Sequence, residues 1–537
     1  MFRRVLNSVS NSITGAAIII AGATLISRLV GLLRDRILAH TFGAGPVMDA
    51  YYAAFKIPDL IYNLLVVGAL SAGFIPIFTR LYHQKDQEEA WHLAGNVFNI
   101  IGVALGVLSV VGIIFAPTLV QLVAPGFNTQ TLQLTVSFVR IMFLSPFLLG
   151  LSMVLGGILQ SLRRFVIYSL SPIFYNIGII IGATLLYPWI GQTGLAWGVV
   201  LGAVLHLSVQ LYGAVLSGFK WKPLFNWRDP NTRAIGRMMI PRTLGLAAAN
   251  INTIIFTVLC SLLPAGSVAI YNYADNLQWV PIGIIGIPFA LAAFPALSYA
   301  AALKDWAEMS RRLSETARKI LFLIIPLSLI FLLLRAQIVR VVLGSGAFDW
   351  TATINTADTL AFFALGLFAQ ALIPLFARAF YALGDSKTPF MAGVSAVLIN
   401  IVLALALMKQ LGVAGLALSA SVGAIFNLTV LAIVLRGRIK SLEENTILSA
   451  LGRISIAALF MGMAIQWLKY PLAEIFNQRY FWGIFGQGAV AGLAGLVVYG
   501  LICYILKLPE MLDFINSFHK RWLKLRNVPT EVVESKE

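Results

Sequence analysis

The chain has 537 residues, of which 59% are hydrophobic and only 11% charged, and its mean hydropathy is +0.86. Soluble domains carry about 25% charged residues, so the composition excludes a soluble globular protein and indicates an integral membrane protein. The formal charge of +17 does not argue for nucleic acid, because the basic residues gather in every second connection between apolar runs, where they orient a membrane protein.

Apolar runs of about 20 residues fall near 13–38, 50–79, 93–116, 131–159, 166–187, 194–216, 238–262, 268–299, 320–335, 357–381, 389–408, 413–435, 447–468 and 483–506. They predict an all-α polytopic membrane protein with about 14 transmembrane helices. Their length and continuity argue against a transmembrane barrel, whose strands are short and alternating. The first run passes Arg28 without a small-residue cleavage site, so an uncleaved first span is expected. Basic segments such as "MFRR", "RLYHQKDQ", "SLRRF", "FKWKPLFNWRD", "RGRIK" and "HKRWLKLR" place both termini in the cytoplasm of a multi-pass protein. The same charge gives a secondary attraction to anionic membrane lipids.

Cys260 and Cys503 stand alone inside predicted spans, and the five histidines are scattered. This supports neither a disulfide framework nor a metal motif, and no nucleophile elbow, phosphate loop or carboxylate pair is present. No enzyme activity and no cofactor are expected.

The chain contains a repeat. "AGPVMDAYYA" at 44–53 returns as "AGSVAIYNYA" at 265–274, with Ala44, Gly45, Val47, Tyr52 and Ala53 recurring 221 positions later. The same offset carries Leu162 onto Leu383 and "GQTGLA" at 191–196 onto "GVAGLA" at 412–417. The predicted organisation is a six-helix bundle at 1–221, a second at 222–442 in the same orientation, two extra helices at 443–510 and a basic cytoplasmic tail at 511–537. Transporters place their substrate sites between such repeats, whereas two duplicated bundles packing as a purely structural body is the plainer alternative.

Intramembrane charge favours transport. A charged side chain at a helix centre costs about 2.5–3.5 kcal/mol on insertion scales and usually faces a watery cavity or a partner. The candidates are Arg28, Arg34, Asp35, Arg36, Asp49, Lys56, Asp59, Arg140, Arg242, Asp275 and Arg378. Arg28 and Arg34 are about 120° apart on a straight helix, so a bend or close packing at Gly31 is expected if both line one cavity. Snorkelling to the interface is the alternative, strongest for Arg36. Asp49 suits either substrate contact or a first-turn position favoured by the helix dipole. Around Lys56, Pro58 and Asp59, and again at Gly68 and Gly73, the second span is expected to break. A cation-lined cavity fits an anionic substrate such as a phosphate or pyrophosphate, which guanidinium groups bind through bidentate bonds.

The segments "SRLVGLLRD" (27–35), "FGAGPVMDAYYAAFKIPD" (42–59), "GALSAGFIPIF" (68–78), "AGSVAIYNYADNL" (265–277), "GAFD" (346–349) and "ARAFYALGDSKTP" (377–389) together resemble the MurJ/MviN family. These are lipid II flippases of bacterial cell-wall synthesis, in the superfamily that includes multidrug exporters. The resemblance implies a twelve-helix core, an alternating-access cycle in the bacterial cytoplasmic membrane, a cationic head-group cavity, and a polyprenyl-tail groove at helices 13 and 14.

Arg28 and Arg34 match the family arginines that hold the diphosphate, Asp49 a family acid of helix 2, and Asp275 the "AD" of helix 8. The chain departs from the family where Tyr62, Asn63 and Val67 replace an arginine pair and a glutamate, and where Asn276 replaces an arginine. Arg242 or Lys56 are candidate replacements for these cations. The expected substrate-binding set is therefore Arg28, Arg34, Asp49, Lys56, Asn63, Arg242, Asp275 and Asn276. The driving force is expected to be either a sodium ion, held on helices 7, 11 and 12 by neutral groups such as Asn250, Asn400, Ser419, Ser421 and Asn427, or the membrane potential. The expected partner is lipid II or a similar polyprenyl-diphosphate-linked saccharide, with contacts to cell-wall synthesis machinery. Export of another polyprenyl-linked glycan or of drugs, and a scaffold acting through the basic tail, are the alternatives.

Overall fold

The structure, a computed structural model, describes residues 13–67, 73–84 and 87–513. Among these, ten helices are long and apolar enough to cross a membrane. One of them, Lys387–Ile439, has 53 residues and turns at Gly412, whose φ of 58° lies in the left-handed region. Its two arms pack on each other, since a Cβ at Gly423 would meet Asn400 Cβ at 3.1 Å. Counting this hairpin as two spans, and adding Ile13–Phe42, the helices from Pro46 to His83 and Pro230–Ser261, the architecture is consistent with the fourteen spans expected.

Two compact units partition the contacts. The first takes residues 1–273, 342–356 and 405–416; the second takes 274–341, 357–404 and 417–537. The first contains α1 (Ile13–Phe42), α2 (Pro46–Tyr62), α3 (Ile75–His83), α4 (Gln87–Ile114), α5 (Ala116–Val123), α6 (Thr129–Met142), α7 (Leu144–Ser161), α8 (Phe165–Ile181), α9 (Tyr187–Ile190), α10 (Thr193–Leu216) and α11 (Pro230–Ser261). It also holds the start of α12 (Ser267–Pro281). The second unit holds the rest of α12, α13 (Ile287–Ala302), α14 (Trp306–Leu333) and the greater part of α15 (Arg335–Val342), of α16 (Trp350–Ala382) and of the α17 hairpin (Lys387–Ile439), of which residues 350–356 and 405–416 fall in the first unit. It ends with α18 (Glu444–Ile475) and α19 (Phe481–Ile505).

In the first unit Phe74, Phe78, Leu105, Leu155 and Ile158 form a buried core. Helix α10 approaches α8 closely because its Gly194, Gly198 and Gly202, at every fourth position, face Gly178 of α8 and Gly182 of the π turn that follows it. A Cβ placed on Gly198 would lie 2.5 Å from Gly182 Cα. Apolar burial does little to drive helices together inside lipid, so such backbone contacts carry the packing. Gly198→Val is expected to destabilise the protein by the upper end of the 1–3 kcal/mol or so that overpacking costs, because a backbone cannot yield as a side chain does. Thermal unfolding in detergent checks this, and an unchanged midpoint would count against it. The core of the second unit joins Ile320, Ile324, Leu375, Leu431, Ile454, Met461 and Cys503.

The structure revises several local expectations. The second span runs unbroken through Pro58 and departs from α-geometry in a π turn at Asn63–Val67; Gly68 lies outside the described residues. The corresponding span of the second repeat carries its own π turn, at Ile282–Gly286. The fourth span breaks at Phe143. Two eight-residue helices, α5 and α15, are too short for a span scan to find. Helix α1 continues through Gly31 with no break, and a Cβ there would meet only Asn176 Oδ1 on α8, at an ordinary contact distance of 4.0 Å, so neither a bend nor close packing is seen at Gly31.

At the turn "ALGDSKTP", the Thr388 N–H and hydroxyl donate to Asp385 and Arg438 pairs with it at 2.8 Å. These donors, with Arg438 adding its charge, hold the carboxyl below the usual range.

Candidate functional site

One face of α2 is polar along its length. Asp49, Tyr52, Lys56, Asp59 and Asn63 recur every three or four residues, which places them in one row about 21 Å long at 1.5 Å per residue. Four of the five meet groups from residues 250–273, within the first unit. Asp49 accepts from the Gly266 N–H at 2.5 Å and from the Ala269 N–H at 2.8 Å. The Tyr52 ring lies edge-on to Tyr273, with centroids 5.6 Å apart. Lys56 Nζ donates to Asn272 Oδ1 at 3.1 Å, and Asn63 Nδ2 to Asn250 Oδ1 at 3.0 Å. The π turn beside Asn63 loosens the helical bonding, and Thr243 Oγ1 donates to the Leu64 carbonyl at 2.9 Å.

This seam joins the two sequence repeats. Tyr52 and Tyr273 occupy equivalent repeat positions and touch, as residues do on a two-fold axis. The acid is not duplicated: Ile270 stands at the position equivalent to Asp49. Asp49 therefore caps only the α12 N-terminus, where a carboxylate satisfies free N–H groups and the helix dipole. The same end of the seam gathers the loop carrying "GAFD", because the Ala347 N–H donates to the His40 carbonyl at 2.8 Å and the Tyr273 hydroxyl to the Gly43 carbonyl at 3.2 Å. Three of the segments that carry the family resemblance thus converge on one knot. Its closeness requires glycine at Gly43, where φ is 66° and a Cβ would lie 2.5 Å from the Ala347 carbonyl oxygen.

Arg34 lies beside this row. Its Nε and Nη2 donate to Asp35 Oδ1 at 3.0 and 2.7 Å, and its Nη1 to Asn176 Oδ1 at 2.9 Å. A guanidinium has five N–H donors, so one on each Nη atom is left unused among the described residues. The Arg34 side chain is 23% exposed and Asp35 only 6%. Tyr51 is within electrostatic reach of Arg34, Asp35 and Asp59. Arg28 is half-buried on α1, whose Leu25, Ile26, Leu29 and Leu33 form the exposed face suited to lipid. Arg36 is half-buried and has interactions of its own. Arg140 is exposed in the last turn of α6, and Arg378 is half-buried on α16. Arg242 lies on α11, but its side chain is outside the described residues.

Asp275 and Asn276 belong to the second unit. There Gln278 Nε2 donates to Asp275 Oδ1 at 2.7 Å, and Gln370 Nε2 to Gln278 Oε1 at 3.1 Å. Of the residues expected to hold a cation, Asn250 Oδ1 is engaged by Asn63, whereas the buried Oδ1 atoms of Asn400 and Asn427 lack donors among the described residues. Ser419 is fully buried, and Ser421 Oγ donates to the Phe362 carbonyl at 2.6 Å. Sequence reasoning missed Asn176, a neutral residue with no motif of its own, and Asn272, which lies inside the repeated segment at 265–274 but is neutral. The row of polar residues on α2 is the signal that could have pointed to the seam.

The chain and its fold are similar to those of known proteins. The family model described as "Lipid II flippase MurJ" matches residues 38–486. A protein of Burkholderia cenocepacia named lipid II flippase MurJ is 32% identical, covering 79% of this chain and 84% of its own. A probable lipid II flippase MurJ of Vibrio cholerae is 28% identical, covering 93% and 96%. A solved structure titled "Lipid II flippase MurJ, inward closed conformation" superposes with a TM-score of 0.76 at 23% identity, over 91% of this chain and 98% of that one. An inward-facing multidrug resistance MATE family transporter of the MOP superfamily reaches 0.65 at 16% identity, over 80% and 99%. The chain belongs to the lipid II flippase MurJ family of membrane transporters.

Proposed function

We infer that the protein carries lipid II across the bacterial cytoplasmic membrane by alternating access, without covalent chemistry. The observation that carries this reading is the α2 seam. A row of polar groups inside an apolar fold is costly unless it is paired or opens to water, and here Asp49, Lys56 and Asn63 hydrogen-bond to the other repeat while Tyr52 meets it through its ring. Parting the repeats along this row exchanges those pairs for water and a polar head group, which is what a gate requires.

Arg34 is the group proposed to meet the substrate's diphosphate. Asp35 and Asn176 hold its plane, and the two remaining N–H donors suit bidentate contact with phosphate oxygens. Arg28, six residues earlier on α1, and Lys56 on α2 add positive charge. An apolar cavity of about 680 Å³, lined by Leu329, Leu333, Phe368, Leu459 and Met463, fits the polyprenyl tail. It draws on α14, α16 and α18.

Asn400 and Asn427 are the residues that would hold a sodium ion, since each presents a buried carbonyl oxygen without a donor among the described residues. Sodium there supplies a driving gradient.

In a strain depleted of its own lipid II flippase, the protein is expected to restore growth and clear lipid II from the inner leaflet. Replacing sodium by choline should slow this for the parent and have little effect on Asn400→Ala/Asn427→Ala. Failure to restore growth, with the protein present in the membrane, would overturn the assignment. Restoration of export of another polyprenyl-linked glycan, but not of lipid II, would favour the sister function.

A further inference from the structure

A second anion-directed site lies within the second unit, where α14, α18 and the turn after α19 meet. A cavity of about 340 Å³ is lined there by Arg318, Asn445, Thr446, Ser449, Arg453 and Leu508. This is the size class of a small-ligand pocket, and its polar lining carries two guanidinium groups, two hydroxyls and an amide.

The charges around it are nearly all committed. Arg318 is paired with the buried Glu510, Lys319 with Asp513 at 3.3 Å, and Arg436 with Glu444 at 2.6 Å. Arg453 is exposed at the cavity and has no acid partner among the described residues. The cavity therefore offers one held guanidinium and one uncommitted one, with Thr446 and Ser449 as neutral donors beside them. Such a donor set recognises phosphate oxygens.

Its level in the fold identifies the source of the phosphate. On α14 the charged residues end at Arg318 and Lys319, and an apolar run begins at Ile320. On α18 the apolar run begins directly after Arg453, and α19 ends its apolar run just before Lys507. Three charged-to-apolar boundaries coincide at the cavity, which is where a bilayer places its head groups. Ala450, Leu508 and Pro509 supply apolar wall toward the chains.

We propose that this cavity is a binding site for the phosphodiester head group of an anionic membrane phospholipid, with Arg453 as the principal contact and Arg318, fixed by Glu510, as the second. The site uses neither Arg28 nor Arg34 and stands independently of the transport assignment.

The test uses the full-length protein and native mass spectrometry, with phosphatidylglycerol and phosphatidylcholine as probes. Arg453→Gln is expected to weaken phosphatidylglycerol binding by about tenfold, the size of one lost charge-assisted contact, and to leave phosphatidylcholine unchanged. Arg318→Gln/Glu510→Gln, which removes the second cation without stranding its buried acid, is expected to act in the same direction. Equal phosphatidylglycerol binding by Arg453→Gln and the parent would overturn the proposal. So would inorganic phosphate at tens of millimolar displacing the lipid in the parent but not in Arg453→Gln, since the site would then take a free anion.

Discussion

Arg34→Lys is expected to reach the membrane at parental levels and yet fail to support growth of a flippase-depleted strain. The lysine keeps a positive charge beside the buried Asp35, so the pair survives. It loses the planar fork whose Nη atoms each retain a donor, and a point charge cannot replace bidentate contact with a diphosphate. Losing one charge-assisted pair of bonds at about 1.5–3 kcal/mol corresponds to a fall of roughly tenfold to a hundredfold in transport.

Arg34→Ala should behave differently. It takes the guanidinium partner from the buried Asp35, and breaking a buried pair in this way costs about 3–5 kcal/mol, so the protein itself should be depleted. Arg34→Ala/Asp35→Ala removes the buried carboxylate as well and is expected to restore protein level without restoring growth. Immunoblotting and plating separate the two effects, and normal growth on the double variant would remove Arg34 from the substrate path.

The second large effect is expected at Asp49. Asp49→Ala leaves the Gly266 and Ala269 N–H groups unpaired at a buried helix terminus. Each orphaned donor costs about 1–3 kcal/mol, and the cap itself contributes about 1 kcal/mol. Because the contact joins the two repeats at one end of the seam, the loss should favour the state in which that end is parted. A Ser267→Cys reporter in the first turn of α12, buried in this structure, reads the change. Its labelling by a membrane-impermeant maleimide should rise at least about tenfold in Asp49→Ala, as a shift of 1.4 kcal/mol requires. Asp49→Asn, which keeps one acceptor, should fall between. Cys260 and Cys503 are buried and give little background. Unchanged labelling in both variants would mean that the cap stabilises the fold without gating it.

The spans were legible because bilayer thickness imposes a length that hydropathy reveals, and the repeat was legible in "AGPVMDAYYA" and "AGSVAIYNYA". That these two copies pack on each other, tyrosine on equivalent tyrosine, required the structure. The acid at Asp49 was visible, but its partners are backbone N–H groups, which leave no mark in a sequence. Arg34 stood out as a cation in an apolar run. Its neighbour Asp35 was in plain view, whereas Asn176, 142 positions away, carries no motif. The same holds for the second span. Pro58 looked like the break, but the helix passes through it, and the departure comes at Asn63, where α11 supplies Thr243 and Asn250 as partners.

The central claim is that the protein moves a diphosphate-linked lipid through a path that depends on the Arg34 fork. The most direct measurement is translocation of fluorescent lipid II in vesicles containing the purified full chain, read by quenching of the outer leaflet. The account predicts transfer by the parent protein and at least about tenfold slower transfer by Arg34→Lys at equal incorporation. Transfer by Arg34→Lys at the parental rate, or none by the parent under an imposed sodium gradient and membrane potential, would contradict it.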